Sequence, residues 1–184
     1  MVVCRRVCSS LYSGYVYHMK VFNCHFEMIL PRRREEIFTF FSDARNLQHI
    51  TPEWLNFNVL TPEPIEMKAG ALIDYQLRVH GIPLRWRTEI RVWEPPNRFV
   101  DVQLHGPYRL WHHEHTFEEC AAGTLCRDIV QYAPLGGWLV NWLFVHRDVQ
   151  KIFQHRQKKT NRTACLNERY NSSRKIASDF IVDI

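Results

Sequence analysis

The sequence predicts an α+β fold: a curved antiparallel sheet of about seven strands wrapped on one long C-terminal helix, with two short helices after strand 1. Three patterns predict it. Residues 20–30 and 71–132 alternate apolar and polar side chains at the period of two of a pleated strand. Short turns built on Gly, Pro and Asn separate the runs, which favours hairpins over helical crossovers. From Gly136 to about Lys159 the period changes to three and four, through Trp138, Trp142, Val145, Val149, Ile152 and Phe153.

Each element has its own signature. Phe22, Cys24, Phe26, Met28 and Leu30 share one face of the first strand, which Pro31 ends. Glu35 and Glu36 suit the first turn of a helix that carries Ile37, Phe40 and Phe41. Ser42 or Asp43 can cap a second helix through Leu47 and Ile50, closed by Thr51-Pro52. Trp54 to Leu60 reads as a strand with Leu55, Phe57 and Val59 on one face, and the proline-bearing stretch 61–70 as a loop. Ala71 to Val79 turns Ile73, Tyr75, Leu77 and Val79 inward. Leu84 to Val92 does the same with Leu84, Trp86, Thr88, Ile90 and Val92, leaving Arg85, Arg87, Glu89 and Arg91 on a solvated face. After the strand Phe99 to Leu104, Gly106-Pro107 opens a long one with Trp111, His113, His115 and Phe117 on one face. In the last strand, Thr124 to Tyr132, Asp128 shares a face with Val130 and Tyr132. The long helix is the only element large enough to cover the sheet, and Trp138, Trp142, Val149 and Phe153 are expected to face it.

The chain has 184 residues, enough for one domain with a full core. Aromatic residues make up 13%, so much of the interior must be ring. Part of the net charge of +5 lies at the two ends, which leaves no basic footprint for nucleic acid. No stretch reaches the roughly 18 apolar residues of a membrane span, so stable membrane insertion is not expected. The six cysteines show no CxxC spacing and read as reduced thiols of a cytoplasmic protein, although Cys120 and Cys126 flank one turn. Residues 1–18 are expected to be a disordered extension or an over-long start ahead of Met19, because Arg5 and Arg6 interrupt the apolar run a signal peptide needs. Residues 160–184 read as a loose tail, which leaves 19–159 as the folded domain.

Several motifs lie along the chain. Leu30-Pro31 precedes Glu36-Ile37-Phe38, then Asn46-Leu47 and Thr51-Pro52-Glu53-Trp54-Leu55. Next come Gly81-Ile82-Pro83-Leu84-Arg85-Trp86, Gln103-Leu104-His105-Gly106-Pro107-Tyr108 and Trp111-His112-His113-Glu114-His115. Gly123-Thr124, Asp128 and Tyr132-Ala133-Pro134-Leu135-Gly136 complete the set, over residues 20–158. Together these motifs resemble the SRPBCC superfamily, the helix-grip group of START lipid-transfer domains, polyketide cyclases and plant pathogenesis-related proteins. More narrowly, they are similar to small bacterial ligand-binding proteins of that group. The resemblance implies a helix-grip fold with a cavity between sheet and long helix. It does not imply one activity, since the group holds binders, carriers and enzymes.

Three constellations can carry chemistry. The aromatics Tyr75, Trp86, Trp111, Phe117, Tyr132 and Trp142 would line a cavity for an apolar or amphipathic small molecule, with Thr88, His113, His115 and Asp128 orienting it. A packed core built from the same residues is the plain alternative. His113 or His115 with Asp128 would make an acid/base pair, and these three are the catalytic candidates of the alternative function, a cofactor-free cyclase or dehydratase. A structural hydrogen-bonded pair would look the same. Finally, His113 and His115 stand about 7 Å apart along one strand, a spacing a metal can use. Neither His112 nor Asp128 is an evident third ligand, so no metal and no cofactor is expected. Nucleophile elbow, P-loop and dinucleotide fingerprints are missing from the sequence. Binding or carriage of a hydrophobic molecule is the leading expectation, with the oligomeric state open.

Overall fold

The computed structural model describes residues 19–179, with side chains through Arg162. The strands are β1 (Phe22–Leu30), β2 (Asn58–Val59), β3 (Leu72–Val79), β4 (Ile82–Glu94), β5 (Arg98–His105), β6 (Tyr108–Cys120) and β7 (Gly123–Pro134). They form one antiparallel sheet in the order β1-β7-β6-β5-β4-β3-β2. Helices α1 (Arg34–Phe41) and α2 (Ala44–Ile50) follow β1. After β7 come α3 (Gly137–Val140), a π turn (Asn141–Val145) and α4 (His146–Asp179). No helix among the described residues is long and apolar enough to cross a membrane.

Three apolar clusters fasten the helices to the sheet. In the first, Ile37 and Phe38 of α1 meet Leu30, Phe99, Phe117 and Cys126. In the second, Val149 and Phe153 of α4 meet Cys24, Phe26, Val130 and Tyr132. In the third, Ala44 of α2 meets Ile73, Tyr75 and Ile90, with Leu47 packed alongside. Asp43 caps α2, its carboxylate accepting the Arg45 backbone N–H at 2.9 Å. Gly123 opens β7 at φ 125°, and a Cβ there would stand 2.2 Å from the Leu30 carbonyl oxygen. Only glycine lets β7 pass the end of β1 that closely.

Four local expectations are corrected. Trp54 to Leu60 is mostly not strand. Glu53–Leu55 winds into a 3₁₀ turn and Asn56 takes a left-handed φ of 43°, so only Asn58–Val59 pairs with β3. In β4 the ladder shifts register between Ile90 and Val92. This bulge hands the inward place from Val92 to Trp93, whose ring lies 5.1 Å from Phe38. At the start of the C-terminal helix the π turn inserts an extra residue and rotates the phase. Asn141 is therefore buried, while Trp138 and Trp142 stand 61% and 68% exposed. Finally, α4 runs on through Asp179, past the Lys159 end that periodicity predicts, and Thr160 is buried. The expectation for residues 1–18 lies outside the described residues. Cys24, Cys120 and Cys126 form no disulfide with one another, and the ladder places Cys120 opposite Gly123 and Cys126 opposite Phe117 rather than one another.

This register separates two substitutions on the C-terminal helix. Phe153→Ala should cost about 3–5 kcal/mol, the usual range for removing a buried aromatic side chain. Trp142→Glu should change stability by about 0.5 kcal/mol or less, as an exposed substitution does. Urea unfolding of both variants measures this. Equal losses would mean that the helix grips the sheet with the other face.

Candidate functional site

Between the sheet, α2 and α4 lies a cavity of about 160 Å³. That is more than tenfold what a single water needs. Its walls are mainly apolar: Ile73, Tyr75, Trp86, Ile90 and Trp111 from the sheet, Leu47 from α2, and Val149 and Phe153 from α4. Trp86 and Trp111 meet edge to face at 5.2 Å, and the Trp86 indole N–H donates to the Thr88 hydroxyl at 3.0 Å. The indole is thereby satisfied within the wall.

One region of the lining is polar. Strand pairing builds it, because residues opposite one another in antiparallel strands share a face. Asp101 of β5 stands opposite His113 of β6, and Asp128 of β7 stands opposite His115 of β6. The four side chains form a square with the carboxylates on opposite corners. His113 Nδ1 lies 3.3 Å from Asp101 Oδ2, and its Nε2 lies 3.1 Å from Asp128 Oδ1. His115 Nε2 lies 3.3 Å from Asp101 Oδ2, and its Nδ1 lies 2.8 Å from Asp128 Oδ1. The imidazole rings lean together, 3.8 Å between centroids, much closer than strand spacing alone gives. His115 Nδ1 makes no aligned hydrogen bond despite its short contact. Arg156 enters from α4, its Nη2 donating to the Thr51 hydroxyl at 3.2 Å while its Nε finds no partner.

The electrostatics follow from burial and pairing. Burial alone would raise both carboxyls, but the imidazoles hold Asp101 and Asp128 well below the ordinary carboxylate range. Burial also works against charge on His113, yet the two carboxylates overcome it and raise its pKa to about 9. Burial lowers the pKa of Arg156, against the pull of Asp128 and Asp101. Burial pushes the Tyr75 phenol up, so it stays neutral.

Of the residues singled out by sequence, Tyr75, Trp86, Thr88, Trp111, His113, His115 and Asp128 line this cavity. Phe117 and Tyr132 are buried but pack in the clusters beside it. Trp142 lies outside on the surface, turned away by the π turn. Sequence reasoning missed Asp101 and Arg156. For Arg156 a signal existed: Val149, Phe153, Arg156 and Thr160 continue one helical stripe at steps of four, three and four. For Asp101 the signal was masked, because Val100 and Val102 on the opposite parity are buried as well.

Removing one partner from such a cluster strands the others. Asp128→Leu should destabilise the fold by about 3–5 kcal/mol, because it leaves buried imidazoles short of a counter-charge. Chemical denaturation reads this out directly. A change below about 1 kcal/mol would mean that solvent reaches the cluster freely.

Comparison with known proteins agrees with this architecture. The polyketide cyclase/dehydrase and lipid transport family profile matches residues 30–154. No curated protein matches the chain. Among solved structures, protein CV1439 from Chromobacterium violaceum is similar at 12% identity and a TM-score of 0.63, over 77% of this chain and 96% of that one. TTHA0849 from Thermus thermophilus is similar at 17% identity and a TM-score of 0.60, over 79% and 98%. The major latex-like protein 151 of Panax ginseng is similar at 10% identity and a TM-score of 0.59, over 78% and 97%. At these identities the likeness is one of fold, and with a family profile spanning most of the folded region, the chain belongs to the polyketide cyclase/dehydrase and lipid transport family.

Proposed function

We propose that this protein binds or carries a hydrophobic or amphipathic small molecule in the cavity between sheet and C-terminal helix. The observation that supports this most is the distribution of polarity around one space. Aromatic and aliphatic side chains form most of the wall, and polar groups gather in one region of it. An apolar body gains by leaving water, at about 25 cal/mol per Å² of buried surface. A few fixed polar groups then select orientation. Tyr75, Trp86 and Trp111 would contact the body, while Thr88, His113, His115 and Asp128 would orient a polar end. The free Arg156 Nε adds a donor for an oxygen on the ligand. The family description, which joins cyclases and dehydrases with lipid transport, is consistent with such a ligand.

A second reading, acid/base chemistry on the bound molecule, is favoured by the placement of two imidazole–carboxylate pairs on the cavity wall. Its check is chemical. A ligand recovered changed from the wild type and unchanged from a folded Asp101→Asn variant supports it, and recovery unchanged from both removes it.

Binding itself is measured with an environment-sensitive apolar dye. The wild type should bind about one dye per chain, Trp111→Ala should weaken binding by about tenfold, and Trp142→Ala should leave it unchanged, since burying one aromatic side chain is worth about 1.5–3 kcal/mol. Equal loss in both variants would place the dye on the surface. No binding by the wild type would mean that the interior is closed to ligands.

A further inference from the structure

We propose that Asp101, His113 and His115 form a site for one divalent first-row metal ion of the zinc type. Asp128 would hold the imidazoles from behind, and a fourth coordination position would open onto the cavity.

The donor set comes first. Two imidazoles with a carboxylate suit zinc and its neighbours, whereas calcium and magnesium take oxygen ligands. The sequence left this reading without a third ligand, and strand pairing supplies it by setting Asp101 opposite His113. The three side chains can each turn one donor atom to a common point, with all three atoms within 4.8 Å of one another.

Distances sharpen the assignment. Asp101 Oδ2 stands 3.3 Å from His113 Nδ1 and 3.3 Å from His115 Nε2. Zinc bonds of about 2.0–2.1 Å at tetrahedral angles hold neighbouring donor atoms about 3.3–3.4 Å apart. A charge-assisted hydrogen bond between the same groups would close to about 2.7–2.9 Å. Both contacts therefore match the edge of a coordination tetrahedron better than the length of an ion-paired hydrogen bond.

The outer contacts agree. With His113 Nδ1 and His115 Nε2 turned to Asp101, His113 Nε2 hydrogen-bonds Asp128 Oδ1 at 3.1 Å, and His115 Nδ1 lies 2.8 Å from the same oxygen without an aligned hydrogen bond. A carboxylate behind a ligating imidazole is the usual device for fixing its tautomer and raising its basicity. All four groups sit on the adjacent strands β5, β6 and β7, which hold them without depending on a loop. Asp101, His113 and His115 all border the cavity, so a bound ion would meet whatever the cavity holds. The competitor is the proton. An ion-paired lattice of protonated imidazoles uses the same lone pairs, and the two occupants exclude one another.

The test uses the full chain, stripped with a chelator and titrated with zinc against a metal-sensitive dye, with bound metal counted by elemental analysis. The wild type should take up one zinc per chain. His115→Ala and Asp101→Asn should each lose at least about tenfold in affinity, and Asp128→Asn about 10–100-fold, as loss of an outer carboxylate typically does. Exposed His80 serves as control, and His80→Ala should bind zinc unchanged. Cobalt substituted in the wild type should show the strong visible absorption of a tetrahedral site, a readout that needs no variant to fold. Circular dichroism establishes which variants are folded. A folded wild type that retains no stoichiometric zinc overturns the proposal. So does undiminished binding in folded His115→Ala and Asp101→Asn, which would assign the metal to surface histidines. Zinc uptake without apolar-dye binding would leave this site standing and remove the ligand-carrying reading. Dye binding without zinc would do the reverse.

Discussion

Phe153 is the contact on which fold and site both depend. Its ring stacks on Phe26 of β1 at 4.4 Å and 6°. It meets the His113 ring edge to face with centroids 5.3 Å apart, and the Arg156 guanidinium carbon lies over it, 5.4 Å from its centroid. One side chain thus ties the C-terminal helix to the sheet, packs against the polar cluster, and seats the cation that faces it. Charges interact more strongly in such a largely buried setting than in bulk water. The apolar grip and the polar site are therefore one piece of structure.

The square of two aspartates and two histidines shows how a sheet can bury charge. A carboxylate moved out of water without partners costs several kcal/mol. Here each carboxylate has two imidazoles beside it, and the diagonal arrangement keeps Asp101 from Asp128. Pairing of this kind adds little net stability over apolar packing, but it fixes which strand residues face one another. A one-residue slip of β7 against β6 would take Asp128 to the other face.

Much of this was legible in the sequence because period and parity are strong signals. The alternation through Trp111, His113, His115 and Phe117 placed both histidines inward, and the parity of Asp128 with Val130 and Tyr132 placed its carboxylate beside them. What escaped detection depended on local breaks in period. The bulge in β4 exchanged Val92 for Trp93, and the π turn exchanged Trp142 for Asn141. Each adds or removes one residue from a count, and nothing in a smooth apolar pattern announces it. Asp101 escaped for another reason. β5 is buried on both faces, so apolarity cannot say which face holds the cavity.

The pairing of the first strand with the last has a consequence for how the protein is made. Phe22 pairs with Tyr132 and Phe26 with Asp128, roughly a hundred residues later in the chain. During synthesis β1 leaves the ribosome long before β7, its neighbour among the described strands, and Phe26 waits still longer for Phe153. Until then β1 presents an open edge with an apolar face, the kind of surface that invites wrong pairing. A chain cut short in the β6–β7 turn would already carry both histidines and Asp101 but neither Asp128 nor the helix that shuts out water. Birth of the nascent chain thus runs from the exposed toward the sealed, and the site comes into being only with the final elements translated.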